Sequence, residues 1–326
     1  MMTIKITGTG SALPEKIVTN FDLQEIVETS DEWIRERTGI AQRHISTEDS
    51  VSSLAAAAAA KALEQAGKTA EEVDMILVAT CSAEMLLPNC ACQVQASLGA
   101  KNAVAFDLNA ACSGFLFGLQ TAYAYIQTGF YKNALIIGAE VLSKIMDWTD
   151  RSTCVLFGDG AGAAFIEADE QDNRQHFLSF AQGADGAKGM VLSCDDRALA
   201  NPYVTENKTV NPYVQMNGQE VYRFATKQVP ACIDTALERA NLKADDIDLY
   251  VLHQANIRII EAVAKRLKVS MDKFPVNLDR VGNMSSATVP VLLDELNRAG
   301  KIKAGDKIVM AGFGAGLTYG ACVLEW

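Results

Sequence analysis

Short apolar runs alternate with longer stretches of helical character over most of the chain. Runs with the length and composition of buried strands lie at 4–7, 75–79, 104–108 and 134–137. Between them, the Ala-rich stretch 53–66 ends at a glycine and predicts a helix. Strands that alternate with helices are typical of α/β proteins, so the pattern predicts sheets covered by helices.

The segment 30–39 carries clear helix boundaries. Ser30 is a favourable N-cap, two acids follow in the first turn, and Gly39 stands just past the predicted end. On such a helix Trp33 and Arg37 lie four residues apart and share one face. The helix therefore presents an indole and a guanidinium together.

The chain is organised around the stretch 104–128. A short apolar run leads into a small-residue elbow, Asn109-Ala110-Ala111-Cys112-Ser113-Gly114, and the apolar stretch 115–126 then predicts a buried helix. Cys112 stands between strand and helix, where unpaired amides and the helix dipole are expected to lower the pKa of its thiol. A free cysteine can equally be a small apolar side chain in a core, and this stretch alone leaves both interpretations open.

Two parts of the chain repeat each other. The stretch 60–80 matches 234–254 without a gap, and the identical pairs are Ala62/Ala236, Leu63/Leu237, Glu64/Glu238, Ala66/Ala240, Ala70/Ala244 and Asp74/Asp248. In the same order, 104–109 resembles 274–279 and 158–168 resembles 312–326. The chain is therefore predicted to be a duplication, with two similar α/β halves, each built on a mixed sheet.

The predicted halves differ in their connections. The first half spans 1–168 and the second spans 214–326. The polar segment 169–213, in which Asn-Pro-Tyr-Val occurs twice, is predicted to be a connecting excursion. The first half also carries an insertion at 142–157, and insertions on a repeat are common sites of loops and binding surfaces.

The duplication draws attention to two polar residues of the second half. His253 follows a buried strand where the first half has Ala79, and Asn283 stands in nearly the same elbow as Cys112. If a pseudo-twofold axis relates the halves, these side chains converge with Cys112 in one pocket and form a candidate catalytic cluster. The alternative is that His253 and Asn283 are a buried structural pair that satisfy each other's hydrogen bonds.

Composition limits the possible partners. The chain has 326 residues, of which 49% are hydrophobic and 21% charged, and a net charge of −11. A chain of this size and composition can bury a large core. Because of the negative charge, neither nucleic acid nor an anionic membrane surface is an expected partner, and an acidic protein could bind only through a local basic patch. The first residues enter a strand instead of a signal segment, and no apolar run approaches the ~18 residues of a membrane span, so a cytoplasmic protein is expected.

Cysteine and glycine patterns exclude further classes. The eight cysteines lie mostly in apolar segments, as reduced thiols do, and Cys90-Ala91-Cys92 lacks the second pair and the histidine of a zinc site, so no metal is expected. Gly8-Thr9-Gly10 and Gly158-Asp159-Gly160 suggest nicotinamide binding. The first lacks the third small residue of that fingerprint, and the second leads into a strand-like run. A non-catalytic scaffold would be expected to lack the nucleophile.

Seven motifs make the chain resemble β-ketoacyl-acyl-carrier-protein synthase III, the initiating condensing enzyme of dissociated fatty acid synthesis. They are GTGSALPEK, TSDEWIRERTGI, DLNAACSGF, FGDGAGAA, HQANIRII, GNMSSATVP and GFGAGLTYG. The resemblance covers nearly the whole chain and implies the duplicated αβαβα thiolase fold, a homodimer and a triad of Cys112, His253 and Asn283. Ser113 stands where the family has Ala, and Ala315 stands in a loop that the family makes mostly of glycine.

The resemblance also implies binding residues. Trp33 and Arg151 would sandwich the adenine of CoA, Arg37 would meet a CoA phosphate, and Asn256 the pantetheine arm. The amides of Cys112 and Ala315 would form the oxyanion hole. The implied carrier-protein surface consists of Gln254, Ala255, Asn256, Ile257, Arg258, Lys265 and Arg266, with Arg223 as a further candidate. Leu87, in a loop implied to reach across the dimer to the primer pocket, replaces a common aromatic gate and predicts room for primers longer than acetyl.

The implied acyltransferase reaction has two steps. Acetyl-CoA or another short acyl-CoA acylates Cys112, and malonyl-acyl-carrier protein is then decarboxylated and condensed with the acyl group. Acyl-CoA is a substrate here, and no cofactor is implied. Biosynthetic thiolase, 3-hydroxy-3-methylglutaryl-CoA synthase and type III polyketide synthase share the cysteine and are the alternatives, but the DEWI, HQANIR and GNMSS contexts favour the initiating synthase.

Overall fold

The computed structural model describes residues 2–206 and 208–326. The strands are β1 (Thr3–Ala12), β2 (Ile17–Thr19), β3 (Gln42–His44), β4 (Met75–Ala79), β5 (Val104–Leu108), β6 (Asn133–Val141), β7 (Asp159–Asp169), β8 (Phe177–Ala184), β9 (Leu192–Ser193), β10 (Gln215–Met216), β11 (Leu249–Leu252), β12 (Lys307–Gly314) and β13 (Thr318–Glu325). The α-helices are α1 (Asn20–Gln24), α2 (Asp31–Thr38), α3 (Val51–Ala66), α4 (Cys90–Leu98), α5 (Gly114–Gln127), α6 (Gly218–Arg239), α7 (Ile257–Leu267), α8 (Leu278–Val281) and α9 (Thr288–Arg298).

Two larger sheets have four strands in a common order, and the first sheet adds β5 as a fifth strand. The first has the strand order β1-β7-β6-β4-β5 and the second the order β11-β12-β13-β8. In the first sheet β4 runs parallel to β5 and β6, while β7 is antiparallel to β6 and β1. In the second sheet β11 runs parallel to β12, while β13 is antiparallel to β12 and β8. Both sheets are mixed, as the duplication predicts.

Helices and sheets form the five layers of an αβαβα fold. Helix α3 packs on the outer face of the first sheet, and α6 packs on the outer face of the second. Helices α5 and α9 lie between the sheets and contact strands of both. The central core joins apolar side chains of the two halves, such as Leu119 of α5, Leu293 of α9 and Met310 of β12. The expected burial of α5 is confirmed over most of its length, although Tyr125 in its last turn is exposed.

Local sequence signals place α2 as predicted. The Ser30 hydroxyl accepts a hydrogen bond from the Trp33 amide at 3.0 Å, which satisfies one of the free amides at the helix start. Gly39 ends the helix with a φ of +83°, a conformation that favours glycine. The helix therefore begins and ends where the sequence indicates.

The glycines of Gly8-Thr9-Gly10 serve helix packing. A Cβ placed on Gly8 would lie 2.0 Å from the Ala62 carbonyl oxygen, and one on Gly10 would lie 2.2 Å from that of Ala58. These glycines let the backbone of α3 lie directly on β1, so the space in which a nucleotide would bind is filled by the helix. The structure thus gives a packing reason for the glycines that suggested nicotinamide binding.

The second sheet takes a strand from the segment that was predicted to be an excursion. Residues 177–184 form β8, whose side chains alternate between buried and half-buried positions, as expected for a strand covered on one face. The irregular part of the excursion is therefore shorter, and its two ends pair through β9 and β10. The division of the chain into halves at residues 168 and 214 stays a prediction.

Other expectations concern membranes and cysteines. Within residues 2–206 and 208–326, none of the helices combines the length and the apolarity needed to cross a membrane. All eight cysteines are free. Cys90, Cys112, Cys154, Cys232 and Cys322 are buried, Cys92 is half-buried, and Cys81 and Cys194 are exposed.

Candidate active site

Two equivalent elbows meet at the centre of the molecule. The short 3-10 turns Ala111–Ser113 and Ser285–Ala287 each begin at a residue with a positive φ, 46° for Ala111 and 47° for Ser285. In each elbow the amide of that residue donates to an asparagine two positions earlier, Ala111 to Asn109 Oδ1 at 3.1 Å and Ser285 to Asn283 Oδ1 at 2.9 Å. The duplication is therefore preserved down to individual hydrogen bonds.

This correspondence refines the prediction for Asn283. The offset that relates Ala62 to Ala236 pairs Asn283 with Asn109, and it pairs Cys112 with Ser286. Asn283 is thus three residues away from the counterpart of Cys112. Because its Oδ1 is bound by the Ser285 amide, the group that Asn283 can offer to a ligand is its side-chain nitrogen.

Cys112 lies at the N-terminal approach to α5 and is 9% exposed. Small residues surround it. A Cβ on Gly114 would lie 2.9 Å from the Ala79 Cβ, and one on Gly314 would lie 2.5 Å from the Cys112 amide nitrogen. Glycine at these positions allows β4 and β12 to approach the elbow closely.

The expectation of a lowered thiol pKa is wrong for the structure as it stands. Burial raises the pKa of Cys112 to about 12, and the nearby Glu140 carboxylate raises it further, while the Ser285 hydroxyl lowers it. Burial disfavours the thiolate more strongly than the surrounding dipoles stabilise it. Near neutral pH Cys112 is therefore a neutral thiol, and the predicted nucleophilic role would require a base.

His253 follows β11 and is 3% exposed. Its amide donates to the Ala311 carbonyl at 2.8 Å, which extends the β11–β12 pairing by one residue. Its ring packs edge-on against Phe313, with 5.4 Å between the ring centroids. Burial lowers the pKa of the imidazole to about 3, so the ring is neutral near pH 7 and one of its nitrogens can accept a hydrogen bond.

The Thr288 hydroxyl controls the tautomer of His253. It lies 2.6 Å from His253 Nδ1 and 3.0 Å from the Ser285 carbonyl oxygen. Since the hydroxyl has one proton, donation to Ser285 requires that Nδ1 carries a hydrogen and leaves Nε2 as an acceptor. If the hydroxyl turns to donate to Nδ1, Nε2 carries the hydrogen and becomes a donor. One imidazole can thus act as acceptor and as donor.

Asn283 is held from the other side by the end of the 142–157 insertion. The Asn283 amide donates to the Leu156 carbonyl at 2.9 Å, and the Gly158 amide donates to the Asn283 carbonyl at 3.0 Å. Phe157 lies between these partners in an isolated parallel β-bridge with Asn283. The insertion of the first half therefore fixes the backbone of a second-half site residue.

Ser285 links two of the predicted triad residues. Its amide binds Asn283, and its carbonyl binds the Thr288 hydroxyl that contacts His253. Cys112 lies beside His253, because a Cβ on Gly312 would lie 3.2 Å from His253 Cβ and 3.7 Å from the Cys112 carbonyl oxygen. Three separate segments therefore meet at one place. The catalytic roles of these side chains stay predictions.

The turn that carries Ala315 is tied to the cysteine elbow. The Ser113 hydroxyl lies 2.6 Å from Thr318 Oγ1, which donates towards the carbonyls of Ala110 at 2.9 Å and Ala315 at 3.2 Å. Ser113, where the family has Ala, thus links the two segments whose amides are predicted to form the oxyanion hole. The assignment of Cys112 and Ala315 to that hole stays a prediction.

The predicted CoA residues are close together. The guanidinium carbons of Arg37 and Arg151 lie 4.6 Å and 5.3 Å from the centre of the Trp33 ring. A purine between Trp33 and Arg151 would need about 7 Å, two contact distances, so Arg151 must move and release its hydrogen bond to the Glu28 carbonyl. Asn256 caps α7 by accepting from the Arg258 amide and donates to the Arg37 carbonyl, both at 2.9 Å.

One residue of the predicted carrier-protein surface is buried. Gln254 is completely buried; it donates to the Leu252 carbonyl and accepts from the Asn277 amide, so it cannot contact a partner. The prediction that Gln254 lies on this surface is therefore wrong, because the residue closely follows the buried strand β11 and stays inside the core. The exposed cations of the predicted surface are Arg258, Lys265, Arg266 and Arg223, while Ala255, Asn256 and Ile257 are half-buried. Arg223 forms an ion pair with Glu220 at 2.6 Å.

Leu87 does not line the site of its own chain. Its side chain is 84% exposed, and its neighbours Met85 and Leu86 are exposed as well. Such an apolar loop tip is expected to contact another surface. Its contribution to a primer pocket stays a prediction.

Sequence reasoning missed Ser285, Thr288 and Glu140. Ser285 and Thr288 act through backbone and hydroxyl contacts that need the tertiary structure. Glu140 left a signal in the sequence, because it is a single acid at the end of the apolar run of β6. Within the described residues, no group of three or more His, Cys, Asp or Glu side chains is arranged to hold a metal ion.

The duplicated αβαβα fold, with a buried cysteine at the elbow between β5 and α5, is that of the thiolase-like condensing enzymes. The family model described as 3-oxoacyl-[acyl-carrier-protein (ACP)] synthase III matches residues 106–186, and the one for the C-terminal part of that enzyme matches residues 237–326. The chain belongs to the β-ketoacyl-[acyl-carrier-protein] synthase III family.

Individual relatives agree over the full length. The β-ketoacyl-[acyl-carrier-protein] synthase III of Clostridium acetobutylicum is 50% identical over 326 residues, which are 100% of this chain and 99% of the relative. That of Acaryochloris marina is 50% identical over 327 residues, covering 99% and 97%. The crystal structure of 3-oxoacyl-[acyl-carrier-protein] synthase III from Aquifex aeolicus VF5 matches with a TM-score of 0.93 at 42% identity, covering 99% of this chain and 100% of that one.

The pH dependence of Cys112 alkylation follows from the two pKa shifts. With the thiol pKa raised to about 12 and the imidazole pKa lowered to about 3, neither group titrates near neutral pH. The thiolate fraction, and with it the rate of reaction with iodoacetamide, should rise about tenfold per pH unit from pH 6 to pH 10. The rate is measured by mass spectrometry of the Cys112 peptide, with Cys112→Ser as the blank. A plateau near neutral pH would indicate a thiolate–imidazolium pair and contradict the prediction.

Proposed function

We propose that the protein initiates fatty acid synthesis by condensing a short acyl-CoA with malonyl-acyl-carrier protein. The observation that carries the proposal is that the segments of Cys112, His253 and Asn283 meet at the two elbows in a member of this family. The chain's own residues supply a nucleophile, a proton acceptor and an amide donor, so the reaction needs no cofactor.

The first step transfers the acyl group. His253 Nε2, as the acceptor tautomer, takes the proton of the Cys112 thiol, and the sulfur attacks the thioester carbonyl of acyl-CoA. Amides of Cys112 and Ala315 stabilise the negative oxygen of the tetrahedral intermediate. CoA leaves as a thiolate and takes the proton back from His253. The products are acyl-Cys112 and CoA.

The second step breaks and forms carbon–carbon bonds. Malonyl-carrier protein loses CO₂, and the electron pair of the broken bond forms an enolate on the thioester. Asn283 Nδ2 and His253 Nε2–H, as the donor tautomer, hydrogen-bond the enolate oxygen as its charge grows. The carbanion attacks the acyl-Cys112 carbonyl, the Cys112 thiolate leaves, and a proton from the solvent restores the thiol. The product is a β-ketoacyl-carrier protein.

The substrates reach the site over a basic edge of an acidic protein. Trp33, Arg37 and Arg151 bind the nucleotide end of CoA, since an indole and guanidinium groups suit a purine and phosphates. Arg258, Lys265 and Arg266 are the side chains that attract the acidic carrier protein. Local positive charge of this kind steers an acidic partner even though the whole chain carries −11.

The working form is a cytoplasmic homodimer. Strand β5 is an edge strand of the first sheet, and Val104 at its start is 45% exposed. An exposed apolar edge strand is a template for pairing, and a second copy of the chain supplies the complementary edge. The exposed Met85, Leu86 and Leu87 then pack against the partner, and Leu87 completes its primer pocket.

A substitution of Asn283 is expected to affect the two steps differently. Asn283→Asp keeps the Oδ1 that binds the Ser285 amide but loses the Nδ2 donor, so malonyl-carrier-protein decarboxylation should fall by about 10²-fold or more. Acylation of Cys112 by acyl-CoA should stay within a few-fold of the wild type, while Cys112→Ser should abolish it. Decarboxylation is measured as ¹⁴CO₂ release, and acylation as the acyl group bound to the protein. Equal loss of both steps in Asn283→Asp would overturn the role of Asn283.

The extender substrate distinguishes the synthase from the other condensing enzymes. Condensation with malonyl-CoA in place of malonyl-carrier protein would favour those enzymes.

The role of Trp33 is tested with a truncated substrate. Trp33→Ala should raise the KM for acetyl-CoA about tenfold, the effect of losing one base-stacking contact, with little change in kcat. Acetyl-N-acetylcysteamine lacks the nucleotide, so its KM should not change in the variant. If both KM values rise together, Trp33 acts through the fold and does not contact the adenine.

Leu87 predicts a wide primer range. With malonyl-carrier protein as extender, isobutyryl-CoA and hexanoyl-CoA should be accepted in addition to acetyl-CoA. Leu87→Phe should narrow the range towards acetyl-CoA, whereas Leu86→Phe is the matched control because Leu86 is the neighbouring exposed leucine. Acceptance of acetyl-CoA alone by the wild type would contradict the prediction.

A further inference from the structure

Glu140 is a buried acid with no assigned role. It ends the apolar strand β6 and is completely buried. None of the ion pairs formed by residues 2–206 and 208–326 includes it. A buried carboxylate without a cation is costly unless hydrogen bonds satisfy it, which suggests that the position has a purpose beyond packing.

The hydrogen bonds of Glu140 cross between the halves. From the first half it accepts bonds from the Thr80 hydroxyl at 3.1 Å, the Cys81 amide at 3.1 Å and the Ser82 hydroxyl. From the second half it accepts the Ser286 hydroxyl at 3.0 Å. Ser286 also lies 2.8 Å from the Ala79 carbonyl. One carboxylate therefore joins the end of β4 to the second elbow.

The duplication gives Glu140 a glycine as its counterpart. Strands β6 and β12 hold the same place in the two sheets, and the offset that pairs Cys112 with Ser286 pairs Glu140 with Gly314. A Cβ on Gly314 would lie 2.5 Å from the Cys112 amide nitrogen, so the first elbow packs directly on the glycine backbone. At the counterpart position, the Glu140 side chain binds the Ser286 hydroxyl of the second elbow. The two elbows are therefore held differently, one by backbone packing and the other by a carboxylate.

We propose that Glu140 is a positioning residue for condensation. It anchors Ser286, and thereby holds the segment 283–288 against Cys112. That segment contains Asn283 and the Thr288 that orients His253. A loosened anchor would displace both donors from the reacting atoms, and a displacement of about 1 Å can cost 10²-fold in rate. The inference rests on the proposed function, because condensation is the reaction that it positions.

The negative charge of Glu140 has a second expected effect, on the pKa of Cys112, which can be measured separately from kcat. The carboxylate lies 3.4 Å from the Cys81 sulfur, and its charge raises the pKa of the Cys112 thiol. Burial raises the pKa of Glu140 itself, while the bonds from Ser82, the Cys81 amide and Ser286 lower it. The other titratable groups around it are Glu84, Cys90 and Lys144. A negative charge beside a thiol raises the pKa of that thiol. Replacing Glu140 with a neutral residue should therefore lower the pKa of Cys112 and increase its thiolate fraction at any given pH.

Three variants of the full-length protein separate the roles of Glu140. Glu140→Gln removes the charge and weakens the anchor, while Ser286→Ala removes the anchored hydroxyl and leaves the charge. Asp294→Asn is the matched control, because Asp294 is also a buried acid that bridges the halves, to the Thr9 and Ser11 hydroxyls, without facing Cys112. Each variant is measured for melting temperature, Cys112 alkylation between pH 6 and pH 10, and condensation kcat with malonyl-carrier protein.

The expected result for Glu140→Gln has opposite signs in the two readouts. Alkylation of Cys112 should become about three- to tenfold faster at each pH, whereas kcat should fall about 10- to 100-fold. Ser286→Ala should lose about tenfold in kcat with the alkylation profile of the wild type. Asp294→Asn should melt at a lower temperature with both readouts unchanged.

Other outcomes overturn the proposal. Glu140→Gln could lower the melting temperature and leave alkylation and kcat unchanged, as expected for Asp294→Asn, which would indicate a purely structural acid. If Glu140→Gln does not fold, Glu140→Asp keeps the charge on a shorter side chain and should combine wild-type alkylation with reduced kcat. If the wild type does not condense with malonyl-carrier protein, the proposed function fails by itself, and the alkylation comparison still tests whether Glu140 acts on Cys112.

Discussion

The hydrogen bond from the Ser285 amide to the Asn283 side chain sets the geometry on which the rest of the site depends. It stabilises a positive φ at Ser285, a conformation that residues other than glycine rarely adopt. With that turn formed, the Ser285 carbonyl points to the Thr288 hydroxyl, and the hydroxyl orients His253. The same bond leaves the Asn283 nitrogen as the donor for a ligand. One backbone conformation thus arranges two side chains on different elements.

Desolvation then decides the protonation states. A thiol and an imidazole that are both withdrawn from water stay neutral, because the charged form of each loses more solvation than the site returns. The site therefore holds both groups without burying a charge. In the proposed reaction, such a thiol would act on a thioester and then serve as a leaving group.

Duplication followed by divergence accounts for the asymmetry of the two elbows. Both keep the same turn and the same asparagine bond, so the backbone requirement is identical. They differ at the position that faces the turn, where the backbone of Gly314 packs on the first elbow and the Glu140 carboxylate binds the second. The same turn is therefore held by close backbone packing in one copy and by a side-chain hydrogen bond in the other. The predicted binding residues around the site agree less well with the structure. Gln254 is buried and not on the carrier-protein surface, and Trp33 and Arg151 lie too close together to hold a purine without movement.

The sequence by itself determined the fold and the members of the central cluster. Apolar periodicity and helix caps identified most elements, and the internal repeat placed Cys112, His253 and Asn283 at corresponding strand ends and elbows. Strand β8 was missed because it lies in a polar segment whose alternation is short. Only the tertiary structure decided which groups contact each other and which are buried: the bond from Ser286 to Glu140, the link from Thr288 to His253, the burial of Gln254 and the pKa of Cys112. These depend on distances between residues far apart in the chain and on exclusion of water, and neither quantity is a property of the local sequence.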